Sequence, residues 1–218
     1  GFICRKLIEL FVSEQNIPSL ESSCAGVFLA EHNNGNPNQM REVVAHILSA
    51  AEFADPVNFR AKVKTPLEYL TSSIRAISAN VVDAGDLEGE LRTLGMTLFE
   101  NSTPDGFSEE ADDWIDTSLM LDRLNFINEI VREAPGRETW VDLRQYFIDR
   151  GYETAEGIAG YLFQIAFQND YTALELNLAV DILTAGGTSA FDINGADAEA
   201  RLQKLVGTLF TFPGYMHQ

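Results

Sequence analysis

Apolar positions along this chain recur every three or four residues, and strand-like alternation is almost absent. That spacing places successive apolar side chains on one face of an α-helix. The first predicted helix runs from about Phe2 to Ser13, with Ile3, Leu7, Leu10 and Phe11 as its apolar stripe. Pro18 opens a second, carrying Leu20, Cys24, Val27 and Phe28. Asn36-Pro37-Asn38-Gln39 reads as a helix start, with an Asn cap, Pro at the first helical position and Gln reaching back. Thr65-Pro66-Leu67-Glu68 repeats that logic with Thr as cap, ahead of Leu67, Leu70, Ile74 and Ile77. Asp86 to Leu94 predicts a shorter helix. Asp116 or Thr117 then caps a long one, with Met120, Leu124, Ile127, Val131 and Ala134 in step and Pro135-Gly136 closing it. Thr139-Trp140-Val141-Asp142 predicts another capping box. Helices follow through LRQYFIDRG, GIAGYLFQIAF and ALELNLAVDIL, then a loop at Gly186 to Ser189 and a last helix over roughly Asp197 to Phe210.

The pattern gives about ten helices and no strand, hence an all-α multi-helix bundle. One helical domain over 1–218 is expected. The longest irregular segment, Thr97 to Asp116, would join lobes 1–100 and 115–218 within it.

Composition changes the picture in one respect. The chain has 218 residues, enough for a real core, and 33 acidic against 15 basic residues give a net charge of −18. Nucleic acid needs neutralising cations, so it is not an expected partner. An anionic membrane surface is disfavoured for the same reason, and a saline habitat fits the acidity. No apolar run approaches about 18 residues, so no transmembrane segment is expected. The chain opens GFICRKL, without Met and without a charged-then-apolar leader. It therefore reads as a mature form or a fragment.

The acidity concentrates before the long helix. Asp105, Glu109, Glu110, Asp112 and Asp113 precede Trp114, and no Lys or Arg occurs from Thr93 to Asp122. Calcium takes six to eight oxygens from flexible loops, so a calcium loop is one reading. The spacing is not that of an EF-hand, and a solvated loop whose last acids favour the next helix dipole is the simpler one. DINGADAE, Asp192 to Glu199, has its glycine at the wrong offset for calcium and reads as a turn with Asp197 as cap. The histidines, His32, His46 and His217, lie on separate elements. No GxSxG, GxGxxG, P-loop or CxxCH motif supports nucleophilic, nucleotide or haem chemistry.

Arg60, Lys62 and Lys64 form the one dense basic run, expected to dock against carboxylates of the acidic loop or of a partner. Arg123 and Asn125 are polar heads on an otherwise apolar helix and predict a buried hydrogen-bond network. Trp114 and Trp140 fit core or rim positions, with stacking on sugars as the alternative. Cys4 and Cys24 are too few for a zinc site. Two buried free thiols and one disulfide between neighbouring helices both fit. In an antiparallel pair turning near Asn16 the two positions are offset by roughly 6 Å along the axis, so a bridge requires an off-centre turn.

CRKLIELFVSEQNIP, ILSAAEF, FRAKVKTPLEYLTSSIRAI, LGMTLFENSTPDGF, WIDTSLMLDRLNF and LFTFPGYMHQ occur in this order. Together they resemble the C-terminal half of a large bacterial exported family catalogued as domain of unknown function 1800, over essentially the whole chain. The resemblance implies a periplasmic or extracellular location and a Cys4–Cys24 disulfide. It also implies an N-terminal half, with a Trp/His-rich segment, that is not in this sequence. That half and a co-encoded exported protein are the partners it implies. The functional expectation is a secreted or periplasmic scaffold or interaction module. The alternatives are part of an extracellular enzyme acting on polymers or envelope components, with its catalytic groups in the absent half, and a calcium-stabilised surface protein.

Overall fold

The computed structural model describes residues 1–104, 106–108, 110–133, 135–136 and 138–217. Eleven α-helices lie among them, with a single pair of two-residue strands, so the fold is predominantly all-α. The chain forms two compact units.

The first unit comprises 1–63, 107–114 and 217–218. It contains α1 (Phe2–Phe11), α2 (Pro18–Asn33) and α3 (Gln39–Leu48), then 3-10 turns at Ala51–Ala54, Pro56–Asn58 and Ala111–Asp113. Its core is Cys4, Ile8 and Val12, one turn apart, against Leu20 and Cys24 of α2 and Val43 and Ile47 of α3. The Cys4 and Cys24 sulfurs are at bonding distance, 2.14 Å, with Cα atoms 5.9 Å apart. The buried stripe of α1 is therefore rotated from the predicted one: Ile3, Leu10 and Phe11 are exposed. α1 is apolar around much of its circumference, and its packing partners select which part is covered. The start of α3 also differs from expectation. Asn36 Oδ1 accepts from the Asn38 amide (2.9 Å), closing a turn ahead of the helix. Gln39 donates its side-chain amide to the Phe28 carbonyl of α2 (2.7 Å), and the start of α3 has no side-chain cap bond.

The second unit comprises 64–106 and 115–216. It contains α4 (Pro66–Ala76), β1 (Asn80–Val81), α5 (Ala84–Thr93), α6 (Thr117–Arg132), β2 (Thr139–Trp140), α7 (Leu143–Ile148), α8 (Ala155–Phe167), α9 (Ala173–Leu183), α10 (Ala198–Leu209) and α11 (Pro213–Met216). α10 is central and packs on α6, α7 and α9. Its Leu202, Leu205, Val206 and Leu209 are fully buried, as are Ile158, Ala159, Leu162 and Phe163 of α8. α6 and α10 approach so closely at Gly207 that a Cβ there would come within 2.8 Å of Asn128 Oδ1. The strands pair antiparallel, Asn80 with Trp140 and Val81 with Thr139. This pairing displaces the predicted Thr139 cap: Asp142 caps α7 instead, accepting from the Gln145 amide. The buried face of α6 is Arg123, Phe126, Ile127, Ile130 and Val131. Met120 and Leu124 of the predicted stripe are only half-buried, and Ala134 lies outside the described residues.

Candidate functional site

Three of the segments that carry the family resemblance meet in the second unit. Thr65 and Glu68 form a capping box at the start of α4: the Glu68 amide donates to Thr65 Oγ1 (3.4 Å) and the Thr65 amide to Glu68 Oε2 (2.8 Å). This fixes the backbone of Lys64, whose carbonyl accepts from the Arg123 guanidinium at 2.7 Å. Arg123 is 1% exposed and also donates to Met216 Sδ (3.4 Å). Its guanidinium lies 5.1 Å from the centre of the Tyr69 ring. The Lys64 ammonium sits 3.6 Å above the Tyr215 ring, an attraction strengthened where water is excluded. The Tyr69 hydroxyl lies between the carbonyls of Arg123 (3.1 Å) and Phe210 (3.2 Å). The Tyr215 hydroxyl bonds Ser73 (3.1 Å), and its ring stacks on Phe210.

Burial sets the acidities here. It pushes the Tyr215 phenol up to about 12 and the Tyr69 phenol higher still, and pulls the Arg123 guanidinium below its ordinary value. Both phenols are therefore neutral at physiological pH, and that of Tyr69 donates to its carbonyl neighbours. The cluster is closed and water-excluded, which suits it to holding α4, α6 and the C-terminal segment together. Asn125 lies on the exposed side of α6. Two residues along a helix is about 200° of rotation, so Arg123 and Asn125 cannot share a face.

The basic run is spread over different tasks. Lys62 is buried in the first unit and donates to the Leu10 carbonyl (2.9 Å). The Arg60 guanidinium lies 5.5 Å from the Phe59 ring centre, and Lys64 belongs to the cluster above.

In the acidic loop, Asp105 and Glu109 lie outside the described residues. Glu110 precedes the 3-10 turn that holds Asp112 and Asp113, both exposed. The loop is tied down by the Ala111 amide donating to Glu14 (2.7 Å) and by the Trp114 indole donating to the Ser108 carbonyl (2.8 Å). Trp114 is buried; Trp140 is half-buried and lines a cavity with Tyr146 and Arg150. Asp197 precedes α10 without a side-chain cap bond and pairs with Arg201 at 2.6 Å. Among the described residues, no three His, Cys, Asp or Glu side chains gather to hold a metal ion.

A second acidic group, not singled out by motif, surrounds a cleft of about 190 Å³ in the second unit. α5 supplies Asp86, Leu87 and Glu90; α6 supplies Phe126, Glu129 and Ile130; β2 supplies Thr139. Asp86 and Glu90 are one helical turn apart, as are Glu129 and Glu133, which also lines the cleft. Like charges at this spacing repel by about 0.2–0.5 kcal/mol per pair in an isolated helix. Burial pushes the Glu90 carboxyl up, reinforced by Glu129 and Asp86. The Asp86 Oδ2 and Thr139 Oγ1 atoms are shielded from solvent and have no hydrogen-bond partner. The sequence signal was present as D-x-x-x-E at 86–90 and E-x-x-x-E at 129–133. What it lacked was any sign that the two helices face one cavity.

These features define an acidic, predominantly helical protein with a buried cationic–aromatic cluster and an open carboxylate-lined cleft. Among the described residues no helix is long and apolar enough to cross a membrane. The chain belongs to the family described as protein of unknown function (DUF1800), whose model matches residues 1–217. No curated protein and no solved structure matches the chain.

Proposed function

We propose that the chain is a helical interaction module that works in an oxidising compartment, periplasmic or extracellular. The observation that carries this is the Cys4–Cys24 pair, fully buried and at bonding distance between α1 and α2. Such bonds persist in exported proteins and are rare where thiols are kept reduced. The pair pins the two helices beneath an apolar surface. Phe2 is 67% and Leu29 59% exposed, and with Ile3, Ala25 and Phe28 they line a groove of about 220 Å³. Exposed apolar patches of this kind mark interaction surfaces. The occupant we assign is the N-terminal half that the family resemblance implies.

The test is association of that N-terminal half, produced as a separate polypeptide, with this chain and with its Phe2→Asp/Leu29→Asp variant. Native mass spectrometry should detect a one-to-one complex with the parent chain and none with the variant. Equal association of both chains, or none with either, would rule out this surface as the interface.

A further inference from the structure

We propose that the cavity between the β1–β2 ribbon and α7 binds a neutral sugar ring, a pyranose unit of a glycan. This rests neither on the compartment nor on the apolar surface of the first unit.

The cavity measures about 400 Å³, against about 190 Å³ for the carboxylate-lined cleft. Small-molecule sites commonly occupy about 300–1,000 Å³. The ribbon builds one wall. Successive side chains of a strand point to opposite faces, and residues directly opposite across a pair share a face. Thr139 lines the carboxylate-lined cleft, while its neighbour Trp140 and the directly paired Asn80 line this cavity. The two tryptophans differ in what they satisfy. Trp114 is buried, and its indole donates to the Ser108 carbonyl. Trp140 is half-buried, and its indole N–H has no partner among the described residues. An aromatic body with an open polar edge suits a ligand that is itself part apolar and part hydroxyl.

α7 and the residues just after it build the other wall. Gln145 and Asp149 are one turn apart, and the Gln145 amide donates to Asp149 Oδ1 at 2.6 Å. That bond orients both side chains and leaves Gln145 Oε1 and Asp149 Oδ2 as acceptors without partners among the described residues. Arg150 is held from three sides. It donates to the Tyr146 carbonyl (3.0 Å) and to the Ser78 hydroxyl (3.1 Å), and its guanidinium lies 3.8 Å from the Tyr146 ring centre. A guanidinium has five N–H donors, so most of them stay available, and among the described residues no carboxylate pairs with this one. The lining therefore interleaves donors, from Arg150, Asn80 and Trp140, with acceptors, from Gln145 and Asp149, around an aromatic ring. A hydroxyl both donates and accepts, and a pyranose carries several of them around a C–H face. Polyanions suit the cavity less well, because Asp142 and Asp149 both line it. A bare metal ion has no use for the donors and finds no group of three ligands among the described residues.

Saturation-transfer NMR and isothermal titration on the whole chain test this. The probes are cellotriose, chitotriose and mannotriose, with digalacturonate as the charged sugar. The proposal expects at least one neutral probe to bind one-to-one, with transfer to its ring C–H protons. Because that ligand is uncharged, its affinity should hold between about 0.01 M and about 1 M sodium chloride. Trp140→Ala should weaken binding about tenfold or more and Gln145→Ala several-fold, with Asp112→Asn in the exposed loop within about twofold of wild type. Circular dichroism confirms that each variant is folded. The fluorescence change on binding should persist in Trp114→Phe and vanish in Trp140→Phe, which leaves only the tryptophan of the first unit. Absence of neutral-probe binding at millimolar concentration would overturn the proposal. So would unchanged affinity in Trp140→Ala, or binding of digalacturonate alone, which would reduce the site to an anion held by Arg150. Should Trp140→Ala fail to fold, Gln145→Ala alone decides: unchanged affinity in it overturns the proposal.

Discussion

Replacing Arg123 should destabilise the second unit by an amount that depends on what fills its place. Arg123→Met removes the guanidinium donor of the 2.7 Å bond to the Lys64 carbonyl. Losing a hydrogen bond from a charged donor costs about 1.5–3 kcal/mol. The contact with the Tyr69 ring, at 5.1 Å, is lost too, worth about 2 kcal/mol when desolvated. Against these losses, a buried guanidinium no longer has to be held out of water. Arg123 is 1% exposed, and the penalty for a buried ion is several kcal/mol before compensation, in keeping with the downward pull of burial on its pKa. Methionine also fills much of the volume. The net expectation is a loss of about 2 kcal/mol for Arg123→Met. For Arg123→Ala a cavity adds about 2 kcal/mol more. In a chain of this size about 1 kcal/mol moves the melting point by about 2–4 °C, so shifts of about 4–8 °C and about 8–16 °C follow. Urea unfolding followed by far-ultraviolet circular dichroism measures both. Arg123→Met at wild-type stability or above would show that the hydrogen bond and ring contact do not outweigh burial of the charge. An Arg123→Ala no worse than Arg123→Met would show that the side chain is not packed as described.

Further outcomes follow from other elements. Thr65→Ala removes the capping box of α4 and should cost about 1 kcal/mol in the same assay, with Thr65→Ser recovering most of it. Removing the Cys4–Cys24 link, which closes a loop of sequence separation 20, should cost about 3 kcal/mol in a Cys4→Ser/Cys24→Ser variant under non-reducing conditions. The Glu90 carboxyl is raised in the fold by burial and by Glu129 and Asp86, so its contribution favours the fold at low pH and is lost as pH rises through its folded pKa. Glu90→Gln should therefore raise the melting temperature at pH 7 and leave it unchanged near pH 3.

What the sequence made legible was local. The Thr65 box is written in four consecutive residues, and the structure forms both of its bonds. The same signature at Thr139 misleads, because a strand partner some sixty positions earlier in the chain claims that backbone and leaves Asp142 to cap α7. Helical spacing located α1, yet its apolar residues cover too much of the circumference to say which stripe packs; α2 and α3 decide that. Arg123 is conspicuous on an apolar helix, but its partners come from Lys64, Tyr69 and Met216, which no spacing rule connects to it. The cleft was least legible. Its acid pairs are visible at helical spacing, while their convergence on one cavity depends on how α5, α6 and β2 pack.

The oxidation state of Cys4 and Cys24 in protein taken from its native host tests the proposed compartment most directly. Free thiols are trapped with an alkylating agent at lysis, the chain is denatured in the same reagent, and its intact mass is read before and after reduction. The account predicts no label before reduction, a gain of about two daltons on reduction, and two labels thereafter. Two labels on the unreduced chain would mean that the thiols are free where the protein works, and the oxidising-compartment assignment would fall.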